Sequence, residues 1–405
     1  MLKKLRLQNF RTYLDAEIQF TQRHLLIGRN NSGKTNLYTA LAFLRDASRG
    51  DLPSVAASIP GGIAELKYAS LDSNIIQLSC ACELPFEGAE HEFSYQLKLA
   101  VESTATSPGS PAQQVLRVHH EELTVRWEGY PQVALLWSNG EEAAILKEDA
   151  FLRTRQSMER TKVAAPSDAT MLSKLYDWQA NPRAVFFRTY LSSWRFFTLN
   201  PAEIRRKWQE RKIDIPILDT DGGNLSIVLY QIKNFDGRRY RNIMDHVRRL
   251  EPELEDISFV PVTGQVPIPF VQFHVRGSGS WEGLSDGTLR FLALALLAES
   301  VTPLGMTPAT TVAPFVIIEE PENGLYPGLL RDLLELFEER GALGQFVFTS
   351  HSPYFINLFD CHRQSVTLLR RSENGPTEVC AVPPPDESDP DRPLLADEYT
   401  LELLD

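Results

Sequence analysis

The first residues of the chain alternate between apolar and polar. Leu5 and Leu7 stand among polar neighbours across Leu2–Phe10, and Ala16–Phe20 repeats the pattern. A period of two puts alternate side chains on one face, so the two stretches predict a strand hairpin. The short apolar run His24–Ile27 predicts a third strand. Leu37, Leu41, Ala42 and Leu44 then recur at helical spacing, predicting a helix that ends near Ser48–Gly50. Residues 51–62, with Pro53, Pro60, Gly61 and Gly62, read as loop. Strand-like alternation returns between 63 and 150, in Ile75–Leu84, Phe93–Val101, Val115–Val118 and Leu123–Trp127, with Ser103–Pro111 as an exposed hairpin tip.

The pattern then changes. Residues 150–255 read mainly as helices rich in arginine and aromatics, among them Leu172–Trp178 and Leu225–Ile232. No heptad repeat is sustained, which excludes a long coiled-coil arm. Strands return near 257 and alternate with helices to about 370. Two of them, the continuous apolar run Pro314–Ile318 and the stretch Gly344–Ser350 around Phe346–Phe348, read as strands buried on both faces of a parallel sheet. Pro383–Pro393 is a proline- and aspartate-rich tail. The reading is an α/β protein with four parts: a β-rich N-terminal lobe over 1–150, a helical insertion lobe over 151–256, a C-terminal lobe over 257–382, and the tail 383–405.

Composition narrows the classes. The 405 residues suit two or three lobes, and the apolar fraction of 43% is ample for a sizeable core. The net charge of −12 excludes a polycation that coats nucleic acid, so any such contact must be local. The four cysteines include no C-x-x-C pair, so reduced thiols and a cytoplasmic setting are expected rather than a zinc or disulfide framework. The longest apolar runs, such as Phe291–Ala298, fall far short of the ~20 residues of a membrane span. The basic N-terminus has no apolar segment behind it and does not read as a signal peptide.

Gly28, Gly33, Lys34 and Thr35 hold the fixed places of G-x-x-x-x-G-K-[ST], between the third strand and the first helix. Glycines let successive N–H groups turn inward around a phosphate chain, where side chains would block the approach. Lys34 would reach the β- and γ-phosphates, Thr35 would sit on Mg²⁺, and the helix N-terminus adds to the anion site. Arg29, Asn30, Asn31, Ser32 and Asn36 complete the candidate nucleotide loop. At the far end of Pro314–Ile318 stand Glu319, a candidate metal ligand, and Glu320, a candidate base for the attacking water. Leu284, Ser285 and Gly287 open the apolar helix Leu289–Ala298, with Ser285 as N-cap. His351 ends the strand Gly344–Ser350.

In that order the four elements resemble the ATP-binding-cassette superfamily of P-loop NTPases. Their wording resembles its branch of RecF, SMC and OLD-like heads, without a coiled-coil arm or TOPRIM domain. Asn9-Phe10, the loop Gly28–Asn36, Glu319-Glu320-Pro321-Glu322-Asn323-Gly324-Leu325 and Thr349-Ser350-His351-Ser352-Pro353 carry the match, over roughly 1–50 and 280–360. Glu319 stands where Asp is commoner, and Tyr326 where His often precedes Pro327. The glutamine loop has no assigned residue. The resemblance implies an ABC-head fold with ATP and Mg²⁺ bound between two copies of the chain. Ser285 and Gly287 of one copy would meet the γ-phosphate on the other, and His351 would sense it. Asn323 and Gly324 would couple the two sites.

Asp219-Thr220-Asp221-Gly222 fits a metal-binding D-x-D, but a tight turn ahead of a helix cap explains it as well and is preferred. About 50 residues follow Pro353, too few for a nuclease domain, so a separate nuclease or effector is the expected supplement. Basic clusters at Arg205-Arg206-Lys207 with Arg211-Lys212, and at Arg238-Arg239-Arg241 with Arg248-Arg249, lie near Trp194, Phe196, Phe197 and Trp208. They read as a solvated face, a nucleic-acid patch, or a partner-docking surface. Two functions remain: an ATP-dependent dimer acting on DNA in repair or antiviral defence, and a nucleotide-gated sensor or scaffold for a protein partner. The N-F element and the E-E-P-E-N-G-L wording weigh against a transporter ATPase.

Overall fold

The alternation in the sequence becomes one long antiparallel sheet. A computed structural model describes residues 1–69, 73–104, 113–148, 159–206, 217–260, 267–275, 277–300, 314–340, 344–359, 365–373 and 375–382. Contacts divide these into two compact units. The first comprises the described residues within 1–21, 28–194 and 365–382; the second comprises those within 22–27 and 195–359. The expected insertion lobe 151–256 is therefore divided between them, with the break after Trp194.

In the first unit, β1 (Leu2–Phe10) and β2 (Tyr13–Gln19) form the predicted hairpin. They continue through β4 (Ile75–Phe86), β5 (Ala89–Thr104), β6 (Gln113–Trp127), β7 (Val133–Ser138), β8 (Glu142–Leu146) and β9 (Arg160–Ala164). The sheet order is β2-β1-β4-β5-β6-β7-β8-β9. Every second residue of β4 from Ile76 to Phe86 is buried, and Cys80 and Cys82 share that face. The expected strands Val115–Val118 and Leu123–Trp127 are one strand. It is carried through by a bulge at His119, where the register steps from Lys98↔His120 to Leu99↔Val118. Glu121 lies buried in it and accepts from Tyr95 Oη at 3.0 Å and from the Leu172 N–H at 2.9 Å. The hairpin tip expected at Ser103–Pro111 lies mostly outside the described residues.

Helices cover the apolar face. α1 (Lys34–Ala47) runs as expected, but 51–62 is not all loop. Asp51 caps α2 (Leu52–Ala57) by accepting from the Ser54 N–H at 2.8 Å, and Pro53 sits in the first turn, where no N–H is needed. α3 (Pro182–Ser192) packs Phe187 on Phe93, with ring centroids 5.3 Å apart. The expected helix Leu172–Trp178 shrinks to the single turn Leu172–Lys174: Glu121 accepts from the Met171 and Leu172 N–H groups at its start, and Leu175 is already extended at ψ 110°. Asn9, at φ 54°, spends its carboxamide on the Ser73 and Ile75 carbonyls and the Tyr68 N–H, fixing the end of β1. The hairpin β16 (Ser365–Arg371) and β17 (Thr377–Val382) completes this unit.

The second unit is built on a parallel sheet ordered β10-β14-β15-β3. Its strands are β10 (Arg195–Phe197), β14 (Phe315–Glu319), β15 (Gln345–Ser350) and β3 (Arg23–Ile27). All six residues of β15 are buried, the two-sided burial its apolar run predicts. The helices are α4 (Pro201–Arg205), α5 (Leu225–Phe235), α6 (Gly237–Leu250), α7 (Asp286–Glu299), α8 (Pro327–Arg340) and α9 (Pro353–Leu358). Phe337 of α8 packs edge-on against Phe346 and Phe348 at 4.8 and 5.2 Å. A small antiparallel sheet pairs β11 (Leu254–Val260), β12 (Ile268–Phe273) and β13 (Gly277–Ser280). Among the described residues no helix is long and apolar enough to cross a membrane.

Candidate functional site

β3 ends at Ile27, and the loop Gly28–Gly33 follows directly. Two glycines are required there by space. A Cβ on Gly28 would lie 2.4 Å from the Leu369 carbonyl, and one on Gly33, at φ 109°, would lie 2.5 Å from Thr377 Oγ1. Asn31 is also left-handed, at φ 66°. The loop backbone is fixed from below. Tyr13 Oη donates to the Gly33 carbonyl at 3.0 Å, and Thr377 Oγ1 donates to the Ser32 carbonyl at 3.1 Å. Asn36 donates to Thr12 Oγ1 at 2.9 Å and accepts from Arg11 at 3.2 Å. Lys34 Nζ curls over the loop onto the carbonyls of Gly28 and Arg29. Arg29, Asn30, Asn31 and Thr35 are exposed, whereas Gly28, Ser32 and Gly33 are buried. The buried Ser32 Oγ has no hydrogen-bond partner among the described residues.

The second unit gathers the paired acids, the histidine and the helix start. Glu320 is left-handed, at φ 43°, just beyond β14, and its N–H donates to the Thr349 carbonyl at 3.0 Å. Both of its carboxylate oxygens are engaged: Oε1 by His351 Nδ1 at 3.0 Å and Oε2 by Asn323 Nδ2 at 2.6 Å. An ionised carboxylate only accepts, so His351 carries its proton on Nδ1. Glu319 Oε2 accepts from Thr198 Oγ1 at 2.7 Å. Glu322 is buried behind them, accepts from Ser350 Oγ, and has its acidity weakened by that burial. Ser285 caps α7 as expected, accepting from the Thr288 N–H at 3.0 Å. A Cβ on Gly287 would come within 2.7 Å of the Gly324 carbonyl, and Arg290 binds the carbonyls of Asn323 and Leu199. The helix start and the loop after Glu320 are thus packed together. Leu284 offers no side chain to a ligand, because it is buried.

A family profile described as "AAA domain, putative AbiEii toxin, Type IV TA system" matches residues 23–357, from β3 into α9. The chain belongs to that family. Its fold is that of SMC heads. The SMC head bound to the C-winged helix domain of ScpA is 13% identical, with 94% of this chain and 98% of that one covered at a TM-score of 0.55. The SMC head domain from Thermotoga maritima is 14% identical over 94% and 98%, with a TM-score of 0.44. A head with an extended coiled coil, in a complex with the C-terminal domain of ScpA derived from Pyrococcus furiosus, is 12% identical over 94% and 96%, with a TM-score of 0.49. No curated protein matches the chain. The family is therefore that of the AAA domain, and the fold is the one seen in SMC heads.

Several expectations about this AAA-family chain change. Trp194, Phe196 and Phe197 do not form a docking or nucleic-acid surface: all three are 1–2% exposed, and Phe196 and Phe197 lie in β10 of the parallel sheet. Arg205 is not part of a solvated basic face, since its guanidinium binds the segment before α7. Lys207, Trp208, Arg211 and Lys212 lie outside the described residues, as does the tail 383–405. On α6, Arg239 pairs with Asp236 and Arg248 with Asp245, while Arg238, Arg241 and Arg249 are exposed. Asp219–Gly222 is the expected turn, with the Gly222 N–H donating to the Asp219 carbonyl at 3.0 Å. Asn224 bonds the Ile217 carbonyl and the Asp219 N–H rather than capping α5. No cluster of three His, Cys, Asp or Glu suited to a metal occurs among the described residues. Thr198, Arg205, Arg290, Tyr13 and Thr377 are supporting residues with no motif to announce them.

Proposed function

We propose that this protein binds and hydrolyses ATP with Mg²⁺, that ATP joins two copies of the chain, and that the cycle acts on DNA in repair or antiviral defence through a separate nuclease or effector. The observation that carries the reading is Glu320, held in a left-handed backbone with one carboxylate oxygen on His351 and the other on Asn323. Strain of about 1–3 kcal/mol at such a residue persists only where the surroundings fix it. A carboxylate so aimed can take a proton from water, and His351 holds it in place.

The glycine loop supports phosphate binding, because a loop of this composition can turn successive backbone N–H groups toward an anion. Lys34 is already folded over that loop and can exchange its two carbonyl contacts for phosphate oxygens. Thr35 and Glu319 would hold Mg²⁺, which neutralises charge on the β- and γ-phosphates when bound. Thr198 orients the Glu319 carboxylate. Ser285 and the N-terminus of α7 would receive the γ-phosphate of the nucleotide bound to the other copy.

The exposed Arg238, Arg241 and Arg249 favour nucleic acid over a purely protein partner, because they stand on one helix of a chain whose net charge is −12. Nucleotide binding and turnover test the reading. Lys34→Ala should lose binding, whereas Glu320→Gln should bind ATP and fail to turn it over. Normal hydrolysis by Glu320→Gln would remove Glu320 from its role.

A further inference from the structure

Between Trp281 and α7 the backbone leaves helical geometry. Leu284 and Ser285 have ψ values of 146° and 156°, so the carbonyls before α7 have no helical partners and need donors from elsewhere. One side chain supplies them. Arg205, the last residue of α4, donates from Nε to the Glu282 carbonyl at 3.1 Å and from Nη2 to the Leu284 carbonyl at 3.0 Å, and pairs with the Asp286 carboxylate. The grip is returned, because the buried Trp281 indole donates to the Ile204 carbonyl at 3.1 Å. Arg205 therefore brackets Ser285, holding the residues on either side of it.

We propose that Arg205 is a positioning residue for Ser285, acting through Leu284 and Asp286 on the nucleotide held by the other copy of the chain. This rests on the reading above, in which ATP lies between two chains. A planar guanidinium spans two carbonyls and a carboxylate at once; a lysine ammonium is a point charge without that fork. The contacts of Arg205 serve the segment around Ser285, which meets the other chain's nucleotide, so its loss should act in trans. Arg205→Ala should leave ATP binding by the single chain intact and lower turnover about tenfold or more, the scale of a charge-assisted hydrogen bond lost from the reacting state. Arg205→Lys should not restore it.

The deciding experiment mixes variants. Lys34→Ala has a disabled loop and an intact Ser285 segment; Arg205→Ala has the reverse. A mixed pair contains one fully intact site, so equal mixing should restore turnover well above either variant alone. Recovery also reports that Arg205→Ala is folded; if that variant is insoluble, Arg205→Lys takes its place in the mixture. No recovery, or full activity of Arg205→Ala or Arg205→Lys alone, overturns the inference. Lys34→Ala mixed with Ser285→Arg is the control. If that pair recovers and the Arg205 pair does not, only the role of Arg205 fails. If neither pair recovers, the two-chain site itself fails.

Discussion

His351 Nδ1 lies 3.0 Å from Glu320 Oε1, at the carboxyl ends of two neighbouring parallel strands. The pairing of Glu319 with Thr349 sets the two side chains level, and the left-handed turn at Glu320 swings its carboxylate toward the imidazole. If Glu320 takes the proton from water, Glu320→Gln should lower turnover by about 10²–10⁴-fold, the range for general-base loss. Binding of ATP should remain. Single-turnover hydrolysis with labelled ATP checks this.

His351 acts through Glu320, so the two substitutions should not add. His351→Ala leaves Asn323 on the carboxylate and should slow turnover less than Glu320→Gln does. The double variant Glu320→Gln, His351→Ala should be no slower than Glu320→Gln alone. Rate losses that multiply would mean the two residues work independently.

Thr377 lies 344 residues from Gly33 in sequence, yet it fixes the glycine loop through the Ser32 carbonyl and Thr12 Oγ1. Thr377→Val keeps the shape and removes the hydroxyl. Losing a hydrogen bond of about 1 kcal/mol should weaken nucleotide binding severalfold. Thr377→Ser should bind as the parent does. A nucleotide titration of the three proteins decides it.

Glu121 gives stability a pH dependence. Burial raises its pKa from 4.5 to about 7, against the hydrogen bonds from Leu172, Met171 and Tyr95. A carboxyl whose folded pKa is raised stabilises most below its unfolded pKa, and the contribution is lost as pH rises to about 7. The loss is on the order of 3 kcal/mol. His24 runs the other way: burial lowers it from 6.5 to about 3, so its contribution is lost as pH falls below 6.5. The parent alone therefore hides both slopes. Glu121→Gln isolates one: its deficit relative to the parent in denaturant unfolding should shrink between pH 5 and 8. A deficit independent of pH would count against a titrating Glu121.

Local pattern revealed the strands, α1 and every motif whose residues are adjacent in sequence, because close spacing alone places Gly28–Thr35 or Glu319-Glu320. It failed where a polar residue is buried or a proline is well placed. His119 and Glu121 broke β6 in two on paper, although a bulge and a buried carboxylate accommodate them in one strand. Pro53 made α2 read as loop. The aromatics Trp194, Phe196 and Phe197 looked like a surface because burial is not written in composition. Thr198 and Arg205 reach Glu319 and the segment around Ser285, and Thr377 reaches the glycine loop, from distant parts of the chain, and no spacing rule links them.

In the proposed cycle each nucleotide site belongs to two chains. Sedimentation of Glu320→Gln with and without ATP and Mg²⁺ is the decisive measurement, since bound nucleotide should persist in that variant. ATP should convert the protein to twice the mass of one chain, and Ser285→Arg added to the same variant should abolish the conversion. A protein that binds ATP tightly and keeps the mass of a single chain would contradict the account.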